Sequence, residues 1–169
     1  ALFFVTALKE SLERAGIRVT GAPRRVRADE SPAQRELVAR RVSPLPLTLS
    51  VCGKRSLNHY AECLLKTVGK LKAGEGSFAA GLKIMEARLE ALGVPVEGLE
   101  LRDGSGLSRR NRLNARAVAS LLSVMRSGVH DQLYRSTLAV GGADGTLRRR
   151  FRDLPKGARL EAKTGTLRD

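Results

Sequence analysis

The sequence has no tryptophan, and phenylalanine and tyrosine together make up only 4% of it. Proteins that hold single-stranded nucleic acid do so largely by stacking bases on aromatic side chains, so that mode is poorly served here, and no zinc-finger spacing or recognition helix stands in for it. Cysteine is nearly absent: Cys52 and Cys63 are too widely separated for a CxxC redox or zinc pair, and both are expected to be small core residues. The two histidines, His59 and His130, have no carboxylate or cysteine at ligand spacing, so no metal is expected. No apolar run is long enough to cross a membrane. The opening Leu2-Phe3-Phe4-Val5 lacks a basic flank, and charged residues begin at Lys9, so it is not a signal peptide.

Acidic residues are scarce as well. Against 31 lysines and arginines stand 17 aspartates and glutamates, giving a net charge of +14. That excess admits a polyanionic partner: nucleic acid, an anionic membrane or an acidic wall polymer. The arginines fall in separate clusters (24, 25 and 27; 40 and 41; 109, 110 and 112; 148 to 150 and 152). This scatter fits a solvated surface better than one binding stripe, and nucleic acid is disfavoured.

The 169 residues suffice for one domain with a hydrophobic core. Leu2, Val5, Leu8, Leu12 and Ala15 recur at helical steps, with Gly16 as a stop. Residues 17–21 suggest a short strand, 22–33 an exposed connection, and 37–42 a second strand. Pro44 and Pro46 are expected to exclude regular helix before Thr48. A helix is predicted after Ser56, with Tyr60, Leu64 and Val68 on its core face and Gly69 ending it. Another follows the Ser77 cap with a stripe of Phe78, Leu82, Met85, Leu89 and Leu92, and Gly93 closes it. Residues 99–101 form a strand candidate and 103–106 a turn. Asn114 caps a helix carrying Val118, Leu121, Leu122 and Met125 and ended by Gly128. The glycine-rich run Gly141-Gly142-Ala143-Asp144-Gly145 lacks a following Lys-Ser or Lys-Thr at P-loop spacing, so it is a loop and no cofactor is expected. Residues 159–167 alternate as a strand that would carry Lys163 into the interior of a sheet.

Two short motifs carry the chemistry. Ser56-Leu57-Asn58 opens a helix and Lys163-Thr164-Gly165 lies on the last predicted strand; Ser-x-Asn and Lys-Thr-Gly are two of three motifs shared by penicillin-binding proteins and class A β-lactamases. Alone, each would pass for a helix cap or a strand end. Their context is more specific. Lys54 to Gly69 places Ala61-Glu62 and an apolar helix after Ser-x-Asn, residues 103–108 spell Asp-Gly-Ser-Gly-Leu-Ser, and Asp144-Gly145-Thr146 precedes Ala162-Lys163-Thr164-Gly165-Thr166-Leu167. In this order the segments resemble the class C penicillin-binding proteins of the D-alanyl-D-alanine carboxypeptidase/endopeptidase family, over essentially the whole chain. The third motif, S-x-x-K, is absent, since no serine has lysine three positions later; Ser50 and Lys54 are four apart.

The resemblance implies an α+β fold, a helical cluster packed on part of an antiparallel sheet as in serine β-lactamases and transpeptidases, incomplete in this chain. Residues 1–169 would be the C-terminal part of that penicillin-binding domain, with 22–47 a connection that could border an inserted domain. Open sheet edges would be covered by the N-terminal half of the same polypeptide or by a neighbouring chain. The implied activity is penicillin-sensitive serine D-Ala-D-Ala carboxypeptidase or endopeptidase chemistry on peptidoglycan stem peptides, outside the cytoplasm, with β-lactams as further ligands. This chain alone would be inactive without its nucleophile motif. Carried over by motif, Ser56 and Lys163 are catalytic; Asn58, Thr164, Gly165 and Thr166 bind substrate; Asp103, Ser105 and Ser108 support the site. Glu62 is expected to make a structural hydrogen bond. The alternative is a non-catalytic module that binds wall peptides or a polyanion.

Overall fold

The computed structural model describes residues 2–30, 37 and 39–166. The chain divides into two compact units, residues 1–41 and 42–169. In the first, helix α1 (Leu2–Arg14) ends where Gly16 takes a φ of +81° and the Ile17 N–H reaches back to the Leu12 carbonyl. That left-handed step suits glycine. Residues 17–21 are coil, not the expected strand: no strand among the described residues pairs with them, and they run instead along α1, where Lys9 Nζ donates to the Gly21 carbonyl at 3.0 Å. A groove of about 260 Å³ lies between Val5, Leu8 and Leu12 on one side and Val19 and Pro23 on the other. The 37–42 strand is also absent at residues 37 and 39–42, while Val38 lies outside the described residues.

The second unit opens with a helix that the prolines had argued against. Helix α2 (Leu45–Arg55) follows Pro44 as its N-cap and carries Pro46 in its first turn. The earliest N–H groups of a helix have no intrahelical partner, so proline there sacrifices no hydrogen bond and its fixed φ favours the turn. Helix α3 (Asn58–Ala73) runs straight through Gly69 and stops at Gly74, φ +75°. Gly69 is a packing residue instead: a Cβ there would stand 2.8 Å from the Glu75 carbonyl oxygen and 2.8 Å from the Gly81 nitrogen. Helix α4 (Phe78–Ala91) returns against α3, its N-terminus capped by Ser77 Oγ accepting from the Ala80 N–H at 3.1 Å. Gly81 is its contact point, since a Cβ there would meet the Leu65 carbonyl oxygen at 2.4 Å.

Asn114 Oδ1 accepts from the Ala117 N–H at 2.7 Å and so starts helix α5 (Ala115–Ser127). The seven-residue helix α6 (Asp131–Thr137), without a side-chain cap, was not anticipated. It lies close to α2, where Ser50 Oγ donates to the Ser136 carbonyl at 3.0 Å and a Cβ on Gly53 would collide with the Thr137 carbonyl. Strand β1 (Ala139–Val140) pairs antiparallel with β2 (Glu161–Ala162), Ala139 opposite Ala162. The predicted strand over 159–167 shrinks to these two residues, because β1 offers no longer an edge to pair with. Lys163 therefore leaves the sheet at its end and is exposed, and Leu167 lies outside the described residues. The candidate at 99–101 is a single bridge, Glu100 to Arg112.

The architecture is thus α+β, helices with a small antiparallel sheet. Its buried centre comprises Leu65, Val94, Ala117, Ala139, Val140 and Leu147. On α3 the buried positions are Leu65 and Gly69, not the predicted Tyr60 and Val68, which are exposed. Leu64, Val68, Met85, Leu89 and Leu121 line an open apolar groove of about 840 Å³. Cys63 is exposed too, contrary to expectation, because its side of α3 faces away from that centre. No helix among the described residues is long and apolar enough to cross a membrane.

Candidate functional site

Helix α2 ends in an unusual way. Ser56 has φ +54° and ψ +51°, the left-handed conformation that normally favours glycine after a helix, while the Leu57 N–H reaches the Cys52 carbonyl at 3.1 Å. A serine held there is strained, and strain of this kind persists only where surrounding contacts enforce it. The Ser-x-Asn triplet therefore does not simply open a helix. Ser56 terminates α2, Leu57 is the N-cap of α3, and Asn58 is the first residue of α3, exposed.

The Ser56 side chain caps neither helix. Lys163 Nζ donates to Ser56 Oγ at 2.8 Å, across 107 residues of sequence. Lys163 also donates to the Thr164 carbonyl, which curls its side chain over the chain leaving β2. Thr164 Oγ1 donates to Thr146 Oγ1 at 2.8 Å. Beyond it, Gly165 borders open space, with nothing within 4 Å of the position a Cβ would take, and Thr166 is exposed. The result is an open ledge: hydroxyls of Ser56 and Thr164, the Lys163 ammonium and an unobstructed stretch of backbone, with Asn58 two residues from Ser56. A cation beside a hydroxyl is suited to moving a proton through that hydroxyl and to attracting a carboxylate.

Beneath the ledge lie contacts that the sequence did not disclose. Lys54, two residues before Ser56, is ion-paired with Asp144 Oδ2, and Asp144 Oδ1 accepts from the Val140 N–H at 2.9 Å. The Lys54 hydrogen bond is the largest influence on the Asp144 carboxyl and holds it below its ordinary range. At the start of β2, Glu161 receives two bonds from Arg135, at 2.6 and 3.0 Å, and one from Arg159 at 2.6 Å. Arg135 first and Arg159 second lower the Glu161 carboxyl to about 2. Such bidentate pairs fix orientation as well as adding energy. Cys52 sits near the same place; burial pushes its thiol up, and the Lys163 charge partly opposes this.

Asp103, Ser105 and Ser108 form a separate assembly. Asp103 Oδ1 accepts from the Gly106 N–H at 2.8 Å and from Asn111 Nδ2 at 2.9 Å, and Oδ2 accepts from the Ser108 N–H at 2.6 Å. Burial raises this carboxyl, but the Asn111 amide and the backbone N–H groups outweigh it, and the net shift is downward. Ser105 Oγ and Ser108 Oγ accept from the N–H groups of Leu107 and Arg110. Glu62, on α3 one turn beyond Asn58, takes the Gly104 and Ser105 N–H groups at 2.9 and 3.2 Å. The loop is thereby fixed to α3.

One expectation about the histidines fails. His59 Nε2 and Cys63 Sγ lie 3.6 Å apart, because residues four apart share a helix face. Among the described residues, no group of three or more histidine, cysteine or acidic side chains is placed to hold a metal.

Comparison with known proteins bears on this arrangement. A family model described as D-Ala-D-Ala carboxypeptidase 3 (S13) matches residues 1–169. The D-alanyl-D-alanine carboxypeptidase of Actinomadura sp. (strain R39) is 42% identical over 119 residues, 68% of this chain and 22% of that protein. The D-alanyl-D-alanine carboxypeptidase DacB of Haemophilus influenzae is 29% identical over 165 residues, 95% of this chain and 34% of its own length. A crystal structure of penicillin binding protein 4 (dacB) from H. influenzae superposes with a TM-score of 0.74 at 29% identity, covering 96% of this chain and 36% of that one. A second crystal structure of that protein, complexed with a novel β-lactam, gives 0.69 at 30% identity, over 86% of this chain and 34% of its own. The chain spans about a third or less of the length of these relatives.

Proposed function

The chain belongs to the D-Ala-D-Ala carboxypeptidase 3 (S13) family, and from that premise we propose that it supplies the proton-relay and substrate-recognition side of a penicillin-sensitive serine D-Ala-D-Ala carboxypeptidase or endopeptidase. The whole enzyme acts on peptidoglycan stem peptides, is acylated by β-lactams, and works outside the cytoplasm. The observation that carries this reading is the 2.8 Å contact between Lys163 Nζ and Ser56 Oγ, which joins two motifs of one chemistry from distant parts of the sequence.

The serine that attacks the peptide carbonyl belongs to an S-x-x-K motif contributed by sequence outside these 169 residues. Ser56 passes a proton to the departing amine, and Lys163 keeps positive potential beside Ser56 and the substrate's terminal carboxylate. Asn58 donates to an amide carbonyl of the substrate. The Thr164 hydroxyl binds the carboxylate, and the Thr166 N–H serves as one of two donors to the developing oxyanion. Gly165 leaves room for a peptide to lie close along the backbone, which fits the open space beside it. Asp103, Ser105 and Ser108 support the site through their loop.

The test is acylation by penicillin, followed by mass spectrometry. The full-length polypeptide that carries this segment is expected to form one stoichiometric adduct, on a serine outside residues 1–169, and the 169-residue chain alone to form none. A stoichiometric adduct on any serine of this segment would overturn the assignment, as would a full-length protein that penicillin leaves unmodified.

A further inference from the structure

We propose that Lys54, Asp144 and Thr146 form a positioning strut that sets the spacing of the two motifs, Lys54 acting through Ser56 and Thr146 acting through Thr164. This rests on the acyl-transfer reading above and adds residues to which that reading assigns no role.

The need for a strut follows from the ledge itself. Ser56 and Lys163 come from separate elements, the end of α2 and the exit from β2, and one exposed hydrogen bond joins their side chains. A single contact between a flexible lysine and a strained serine cannot fix their distance well. The turn at 144–147 touches both sides within three residues. Asp144 binds Lys54 in the last turn of α2 with one oxygen and the β1 backbone at Val140 with the other. Gly145, φ +53°, is pressed on the same place: a Cβ there would lie 2.5 Å from the Lys54 carbonyl oxygen and 2.9 Å from Ala139 Cβ. Thr146 takes the Thr164 hydroxyl, and Leu147, 2% exposed, anchors the turn in the buried centre. The ion pair thus immobilises the helix end that terminates in Ser56, and the next side chain but one immobilises the segment that follows Lys163.

Thr146 has a second consequence for Thr164. A hydroxyl has one proton to donate and can also accept. With the Thr164 and Thr146 hydroxyls 2.8 Å apart, one proton bridges the two before ligand arrives. When a carboxylate binds, the Thr164 hydroxyl donates its hydrogen bond to the ligand and accepts a hydrogen bond from the Thr146 hydroxyl. No bond to hydrogen is broken; the two hydroxyls rotate, and the pair presents a polarised donor to the anion.

The experiment resolves penicillin acylation of the full-length protein into a binding constant and a first-order acylation rate. K54M and D144N are expected to lower the acylation rate about 10- to 100-fold, as small misplacements of reacting groups do. K54R should recover part of that loss. T146V should weaken binding about tenfold, with T146S restoring it. If K54M does not fold, D144N and T146V decide the matter, because the strut requires both to fall. Variants that lose melting temperature but acylate with parental constants would make these contacts merely structural and overturn the proposal. A parental protein that forms no adduct would fail the acyl-transfer reading, whereas a parental adduct with unchanged variants would fail the strut alone.

Discussion

The ledge around Ser56 and the loop from Asp103 to Asn111 both bear recognisable motif residues, yet they use their polar groups in opposite ways. In the loop, each oxygen of Asp103 accepts a backbone N–H, Asn111 closes the ring by accepting from the Arg102 N–H at 2.8 Å, and Glu62 binds two further N–H groups from α3. Its polar atoms are directed inward, at its own chain. On the ledge, Lys163, Asn58 and Thr166 are exposed, and Ser56 holds a conformation that its own side chain makes unfavourable. Satisfied polar groups mark scaffold; exposed groups held under strain mark a place prepared for something else.

That contrast predicts where a substitution is felt. Lys163→Ala should have the largest effect, lowering the acylation rate of the full-length protein roughly 100- to 1,000-fold, the usual consequence of removing a group that meets developing charge. Because Lys163 is exposed, the melting temperature should hardly move; a large loss of stability would place Lys163 with the scaffold. Glu62→Ala should do the reverse. It leaves two N–H groups without their acceptor and should destabilise the fold by about 1–2 kcal/mol in chemical denaturation, with acylation altered much less. Equal loss in both assays would erase the distinction between the two regions.

A pH titration of stability sharpens the comparison further. The Glu161 carboxyl lies near 2 in the fold against an ordinary value of 4.5, so its pairs with Arg135 and Arg159 contribute fully above about 4.5 and are lost as pH falls toward 2. The parental protein should therefore lose stability across that window, and Glu161→Gln should flatten the curve there. An unchanged slope would show that the arginine pairs do not persist in solution. Ser56→Gly should separate the two readouts, because it removes the relay hydroxyl yet is expected to change stability least. Relief of the left-handed backbone should offset glycine's greater freedom when unfolded, so stability should change by at most about 1 kcal/mol while acylation falls. A clear loss of stability would mean that Ser56 is not strained.

What could be seen in the sequence depended on how local its cause was. The caps at Ser77 and Asn114 each act three residues away, on Ala80 and Ala117, and α4 and α5 begin where those residues said they would. Glycine was more ambiguous. Gly74 and Gly69 look alike in sequence, but the first ends α3 through its backbone angle and the second permits α4 to approach. Helix α2 was hidden by prolines that happen to fall at its N-cap and in its first turn. Strands of two residues, such as β1, carry no alternation to detect. That Ser56 and Lys163 serve one site was expected from motif resemblance alone, since nothing within either motif indicates the other. Lys54 and Asp144, 90 residues apart, had no signal beyond their membership in those segments.

The glycines around α3 have a further consequence. Gly69 and Gly81 bring α4 against it, and Gly104 does the same for the loop, where a Cβ would meet the Ala61 carbonyl oxygen at 2.7 Å. Joints made of side chains can slip from one rotamer to another, but joints of main chain against main chain have no such give. Helix α3 is therefore clamped from two directions by parts that do not yield, and its first residue is Asn58. A ligand that pulls on Asn58 would therefore meet the combined inertia of α3, α4 and the loop, whereas on the other side of the ledge Lys163 and Thr164 are held by side-chain hydrogen bonds to Ser56 and Thr146.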